Sequence, residues 1–130
     1  MTDSTSPPPS QQQVIQTFKQ MENECRQFVT KISELEQERN EHDLVIKTLT
    51  PLPKERKAFR LVGGVLVERS VETVLPSVQE NRENLVKVLT NLNDMLEKRS
   101  KETYEFKVKF NIKTEEEAKQ EQKRMQEQGA

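Results

Sequence analysis

Tryptophan is absent from this chain, glycine occurs three times, and aromatic residues make up 5% of it. These shortages exclude a compact sandwich or an α/β enzyme scaffold, which need bulky side chains to fill a closed core and many tight turns. Only 32% of the 130 residues are hydrophobic. No run approaches the ~20 apolar residues that a membrane-crossing helix requires. The single cysteine, Cys25, offers no internal disulfide. The opening MTDSTSPPPS has neither the basic start nor the apolar stretch of a secretion signal, so a reducing intracellular compartment is expected. An excess of charge of one sign is also missing: 21 Lys and Arg stand against 22 Asp and Glu, interspersed along the chain. Without a basic face to neutralise phosphates or anionic lipid, neither nucleic acid nor membrane is an expected partner.

What the chain has instead is charge, 33% of its residues, and a regular apolar period. Residues 1–10, rich in Ser, Thr and Pro, read as a disordered tail. Ser10 and Gln13 have capping-box spacing, which predicts a helix from Gln11. Along it Val14, Phe18, Met21, Cys25, Phe28, Ile32, Leu35, Arg39, His42, Ile46 and Leu49 recur by alternate fours and threes, a heptad seam with two polar layers. Pro51 and Pro53 end that helix, expected over 11–50, because proline lacks an amide and disfavours helical geometry before it. A second helix, 71–112, begins near Ser70 or Thr73 and has Pro76 in or just after its first turn. Its seam is Leu85, Leu89, Leu92, Leu96, Arg99, Thr103, Phe106 and Phe110, broadened by Val78, Val88 and Met95. Residues 113–130 hold almost nothing apolar and read as a charged tail, a frayed helix or disorder, although Thr114 and Glu117 have cap spacing.

Two such seams joined by about 20 residues fold back as an antiparallel coiled coil, the 36 positions from 14 to 49 spanning about 54 Å at ~1.5 Å per residue. In that register Arg39 and His42 face Gln79, Asn81 and Arg82, a polar layer that costs stability and fixes alignment. The link between the helices, 56–69, contains FRLVGGVLVER. Gly63-Gly64 suits a two-residue primed turn, pairing Val62 with Val65, Leu61 with Leu66, Arg60 with Val67 and Phe59 with Glu68. One face then carries Phe59, Leu61 and Leu66, the other Ala58, Val62, Val65 and Val67. A lone hairpin is marginal in water and apolar edges recruit further strands, so Phe59, Leu61, Val62, Gly63, Gly64, Val65, Leu66 and Val67 form an expected oligomerisation element sharing a sheet or barrel.

NEHDLVIKTL at 40–49, FRLVGGVLVERSVETVLP at 59–76 and EFKVKFNI at 105–112 resemble the β-type subunits of the prefoldin family over about residues 11–112. TPLP at 50–53 departs from the more ordinary polar link of such subunits. The resemblance implies a mostly α fold, a long antiparallel two-helix coiled coil joined by a β-hairpin that assembles into an oligomeric β-barrel. It implies, further, a cytoplasmic heterohexamer in which this chain joins two α-type and three further β-type subunits. Such a complex is an ATP-independent co-chaperone that holds unfolded polypeptides, notably actin and tubulin, and passes them to the cytosolic chaperonin. The alternative is a coiled-coil scaffold or tether of another assembly, which would not need a hairpin apolar on both faces.

At the open end of the coiled coil the sequence gathers Val14, Ile15 and Phe18 with Phe106, Val108, Phe110 and Ile112, more apolar residues than one seam uses. They are the expected client-binding tip, with Ile15, Val108 and Ile112 off the seam and the better candidates for contact. Burying one or two such side chains stabilises a complex by about 2–5 kcal/mol before ordering costs, so several tethered arms are needed for a firm hold. No catalytic constellation is present, and no cofactor or metal is expected. VGGVLVER lacks the Gly-Lys-Ser/Thr of a phosphate loop. His42 and Cys25 are seam residues, and Glu115 to Glu117 read as a solvated face.

Overall fold

A computed structural model describes residues 10–129, so the tail expected over 1–10 lies, apart from Ser10, outside the described residues. In chain order the elements are α1 (Gln11–Leu49), β1 (Lys57–Val62), β2 (Val65–Ser70), α2 (Val71–Lys109) and α3 (Glu115–Gln128). The start of α1 is a reciprocal capping box. The Ser10 amide donates to Gln13 Oε1 at 3.0 Å and the Gln13 amide to Ser10 Oγ at 3.2 Å. At its end the Thr50 amide and hydroxyl both donate to the Ile46 carbonyl, and Pro51 stops the ladder.

The second helix follows β2 without a gap, at Val71. Its first amides find carbonyls in the link: Val71 donates to Arg56 at 2.9 Å and Glu72 to Lys54 at 3.1 Å. These bonds satisfy donors that a helix start otherwise leaves open. Pro76 lies inside the helix, five residues past its start. The end differs from the expected 112: α2 runs to Lys109, the Phe110 amide still donates to the Phe106 carbonyl, and the chain leaves the helix through a turn at Phe110 and Asn111 ahead of Ile112. The Asn111 backbone takes φ 52°, the Ile112 amide donates to the Lys107 carbonyl and the Asn111 amide to that of Val108, the paired bonds of a Schellman C-cap. Asparagine tolerates this left-handed conformation better than other side-chain-bearing residues. The cap spacing of Thr114 and Glu117 is realised, the Thr114 hydroxyl accepting from the Glu117 amide, but α3 runs for 14 residues where the sequence suggested a charged, frayed or disordered tail.

Two compact units make up the chain. The middle one, Gln27–Leu96, is centred on Ile32, Leu35 and Leu89, with Leu85, Leu92 and Leu96 against them, and it contains the hairpin. Here Arg82 Nε meets Asp43 Oδ1 at 2.6 Å, and His42 shares a groove with Asn81. The other unit, formed by residues 10–26 and 97–129, buries Val14, Phe18 and Met21. In both, α1 seam positions are buried or half-buried. Along α2 Val78 is buried, but Val88 and Met95, expected to broaden the stripe, are exposed. A two-helix seam covers a narrower arc than the full apolar stripe of a helix in a larger core.

Candidate functional site

The hairpin presents the first candidate surface. Its register pairs Phe59 with Glu68, Arg60 with Val67, Leu61 with Leu66 and Val62 with Val65, closed by Gly63 at φ +56° and Gly64 at φ +83°. Both values fall where a Cβ is strained, so the turn requires this glycine pair. Directly opposed residues share a face, and the two faces differ. Ala58, Arg60 and Val67 are half-buried, with the Arg60 guanidinium donating to the Ser77 hydroxyl of α2. The other face leaves Phe59 63%, Leu61 69% and Leu66 65% exposed. Lys57 and Glu68 form an ion pair at 3.4 Å beside that apolar trio. Near the turn Val62 and Val65 are exposed as well. Both strands are sheet edges, so the hairpin carries open backbone groups as well as open apolar side chains.

A second candidate is an apolar groove of about 460 Å³ in the unit formed by 10–26 and 97–129. Val14, Ile15 and Phe18 of α1 line it with Phe110 and Ile112 of the turn after α2, and Lys19, Glu22 and Lys113 are among its polar residues. The Schellman cap is what turns Phe110 and Ile112 toward α1. Of the seven expected tip residues, five thus share the groove. Phe106 and Val108 do not line it: the Phe106 ring packs on that of Phe110, centroids 4.7 Å apart, and Val108 is exposed elsewhere on α2. Ile15 is exposed, while Val14 and Phe18 are buried by the seam.

Two ion pairs lie beside the groove. Lys107 Nζ meets Glu117 Oε1 at 2.6 Å, and Lys113 Nζ is paired with Glu121. The Lys107 hydrogen bond, opposed by some desolvation, holds the Glu117 carboxyl below the ordinary glutamate range. Lys109 lies over the Phe110 ring, 5.4 Å from its centroid. Arg99 bonds Glu24 and Glu102, chiefly the former, and these bonds raise its pKa. Cys25 Sγ lies 3.6 Å from Thr103 Oγ1, two seam positions in contact. His42 Nδ1 is 2.7 Å from the Glu38 carbonyl, a local helix contact.

Among the described residues no three His, Cys, Asp or Glu side chains gather as a metal site, and no helix is long and apolar enough to cross a membrane. The periodicity reading missed Asn111, the pairs Lys107–Glu117 and Lys113–Glu121, and Asp43 as the partner of Arg82. An asparagine directly after the last periodic turn is a helix-stop signal that could have located the first. Ion pairs between elements leave no such spacing.

The sequence matches the family model described as "Prefoldin subunit" over residues 12–128. Among curated proteins it is 45% identical to prefoldin subunit 2 of Homo sapiens over 104 residues, 80% of this chain and 68% of that protein. It is 42% identical to prefoldin subunit 2 of Arabidopsis thaliana over 106 residues, 82% of this chain and 72% of the relative. Among solved structures, the prefoldin beta subunit from Thermococcus strain KS-1 superposes with a TM-score of 0.68. That match covers 78% of this chain and 90% of the other, at 18% identity, a likeness of fold.

Proposed function

The chain belongs to the prefoldin subunit family and is a chaperone subunit, and from that premise we propose that it is one of four β-type members, beside two α-type, of a cytoplasmic heterohexamer. The observation that carries this reading is the outward hairpin face of Phe59, Leu61 and Leu66, solvent-exposed in the single chain. Apolar surface on a two-stranded sheet with two free edges is a costly thing to leave in water. Joining further hairpins into a β-barrel would bury it and pair the edges. A scaffold or tether, the second reading, has no use for that face.

In this proposal the groove at Val14, Ile15, Phe18, Phe110 and Ile112 receives unfolded client segments, actin and tubulin among them, for delivery to the cytosolic chaperonin. Its grip is weak by design. One or two apolar side chains contribute about 2–5 kcal/mol before ordering costs, and several arms acting together supply the rest through effective concentration. Release then needs no nucleotide, and the subunit performs no catalysis of its own. The test is reconstitution with partner prefoldin subunits, read by native mass spectrometry and by light scattering of chemically denatured actin diluted into buffer. A hexamer containing one copy of this chain that suppresses the scattering is expected. A chain that stays out of every complex would refute the reading.

A further inference from the structure

Lys19 and Lys113 line the apolar groove, and Lys107 lines the shallower cleft beside it. Two of these three ammonium groups are already held by carboxylates from α3, Lys107 by Glu117 and Lys113 by Glu121. Lys19 has no carboxylate within 4 Å among the described residues. The groove wall thus offers cations around an apolar floor, with Glu22 the one carboxylate among its lining residues. Helix α3 has no apolar anchor: its one large apolar side chain, Met125, is exposed, and most of its other side chains are too. Its placement beside the groove therefore depends on the Asn111 turn and on those two ion pairs.

We propose that the groove prefers apolar client segments flanked by carboxylates, and that Glu117 and Glu121 are internal competitors for the lysines such a client would use. The proposal rests on the groove being the client site. An arriving segment places its apolar side chains against Ile15, Phe18 and Ile112 and exchanges its own carboxylates for those of α3. The exchange swaps one partly exposed ion pair for another, so it is nearly neutral in free energy and readily reversed. With Lys107 beside it, Glu117 stays ionised at neutral pH and remains a standing competitor.

The experiment uses the complex reconstituted from full-length subunits, with only this chain carrying labelled isoleucine methyl groups. Ile15 and Ile112 report the groove, while Ile32 and Ile46 report the integrity of the helices. Three synthetic peptides share one apolar centre and differ in their flanks: glutamate, serine or lysine. The glutamate-flanked peptide is expected to bind most tightly and the lysine-flanked one least, by about 3- to 10-fold at each step at low salt. Glu117→Gln with Glu121→Gln is expected to tighten the acidic peptide several-fold and leave the serine-flanked one unchanged. Lys107→Gln with Lys113→Gln is expected to flatten the ranking. If all three peptides shift Ile15 and Ile112 with equal affinity, the charge preference is wrong and the groove stands. If none shifts either methyl, the groove is not a client site and both readings fall together.

Discussion

Arg99 of α2 donates from Nε to the Glu24 carboxylate of α1 at 2.7 Å and from Nη1 to Glu102 at 2.7 Å. An arginine at a seam position would be costly if unpaired. Here two carboxylates, one on each helix, fix its fork, and the register beside Cys25 and Thr103 with it. Glu24→Gln with Glu102→Gln is expected to lower the thermal midpoint at low ionic strength, because the half-buried guanidinium loses both charged partners. In ~1 M salt the gap from the parent should narrow, since screening weakens the native pairs as well. Circular dichroism melts at the two salt concentrations check this.

Leu89 is 4% exposed in a cluster with Ile32 and Leu35, whereas its neighbour Val88 is 47% exposed. Leu89→Ala is expected to cost about 2–4 kcal/mol, the transfer term plus a cavity that two helices collapse only partly. Val88→Ala should stay within about 0.5 kcal/mol of the parent. Urea unfolding of the pair of variants measures the contrast, and equal losses would mean that the seam faces another way.

At the groove, Ile15→Ser with Ile112→Ser is expected to leave assembly intact and weaken suppression of client aggregation. Val108→Ser alone should have little effect, because Val108 is exposed but does not line the groove. Light scattering with hexamers carrying each variant separates them, and a loss for Val108→Ser equal to that of the pair would relocate the client surface along α2.

The Lys107–Glu117 contact carries a pH dependence of known sign. Since the folded-state carboxyl sits below its ordinary range, its contribution is fully present above that range and is lost as pH falls through the lowered value. Hydrogen exchange of α3 amides is expected to quicken, relative to α1, on acidification through that window. Glu117→Gln should remove the change.

The parts of this structure that were legible in the sequence are those governed by spacing. Alternate fours and threes located the seams from Val14 to Leu49 and from Leu85 onward, Ser10 with Gln13 located the start of α1, and Gly63-Gly64 located the turn and its register. Phe110 misled because it continues the apolar period of α2 into the turn that ends the helix, whereas Ile112 lies off that seam. There the backbone preference of Asn111 overrides the side-chain pattern. The spacing of Thr114 and Glu117 located the start of α3, but not its length, because the helix has no apolar stripe and ion pairs to Lys107 and Lys113 obey no period. For the same reason Asp43 as the partner of Arg82 could not be read, while Val88 and Met95 showed that an apolar residue beside a seam need not be covered.

In the proposed assembly the face bearing Phe59 and Leu61 joins this chain to its partner subunits, and size-exclusion of Phe59→Asp and Leu61→Asp with those purified subunits measures it. Burying a carboxylate in a shared apolar sheet without a partner is strongly unfavourable. Both variants are expected to keep the helical circular dichroism of the parent and to elute apart from the complex. Normal co-elution of either variant, at parental stoichiometry, would contradict assembly through the hairpin.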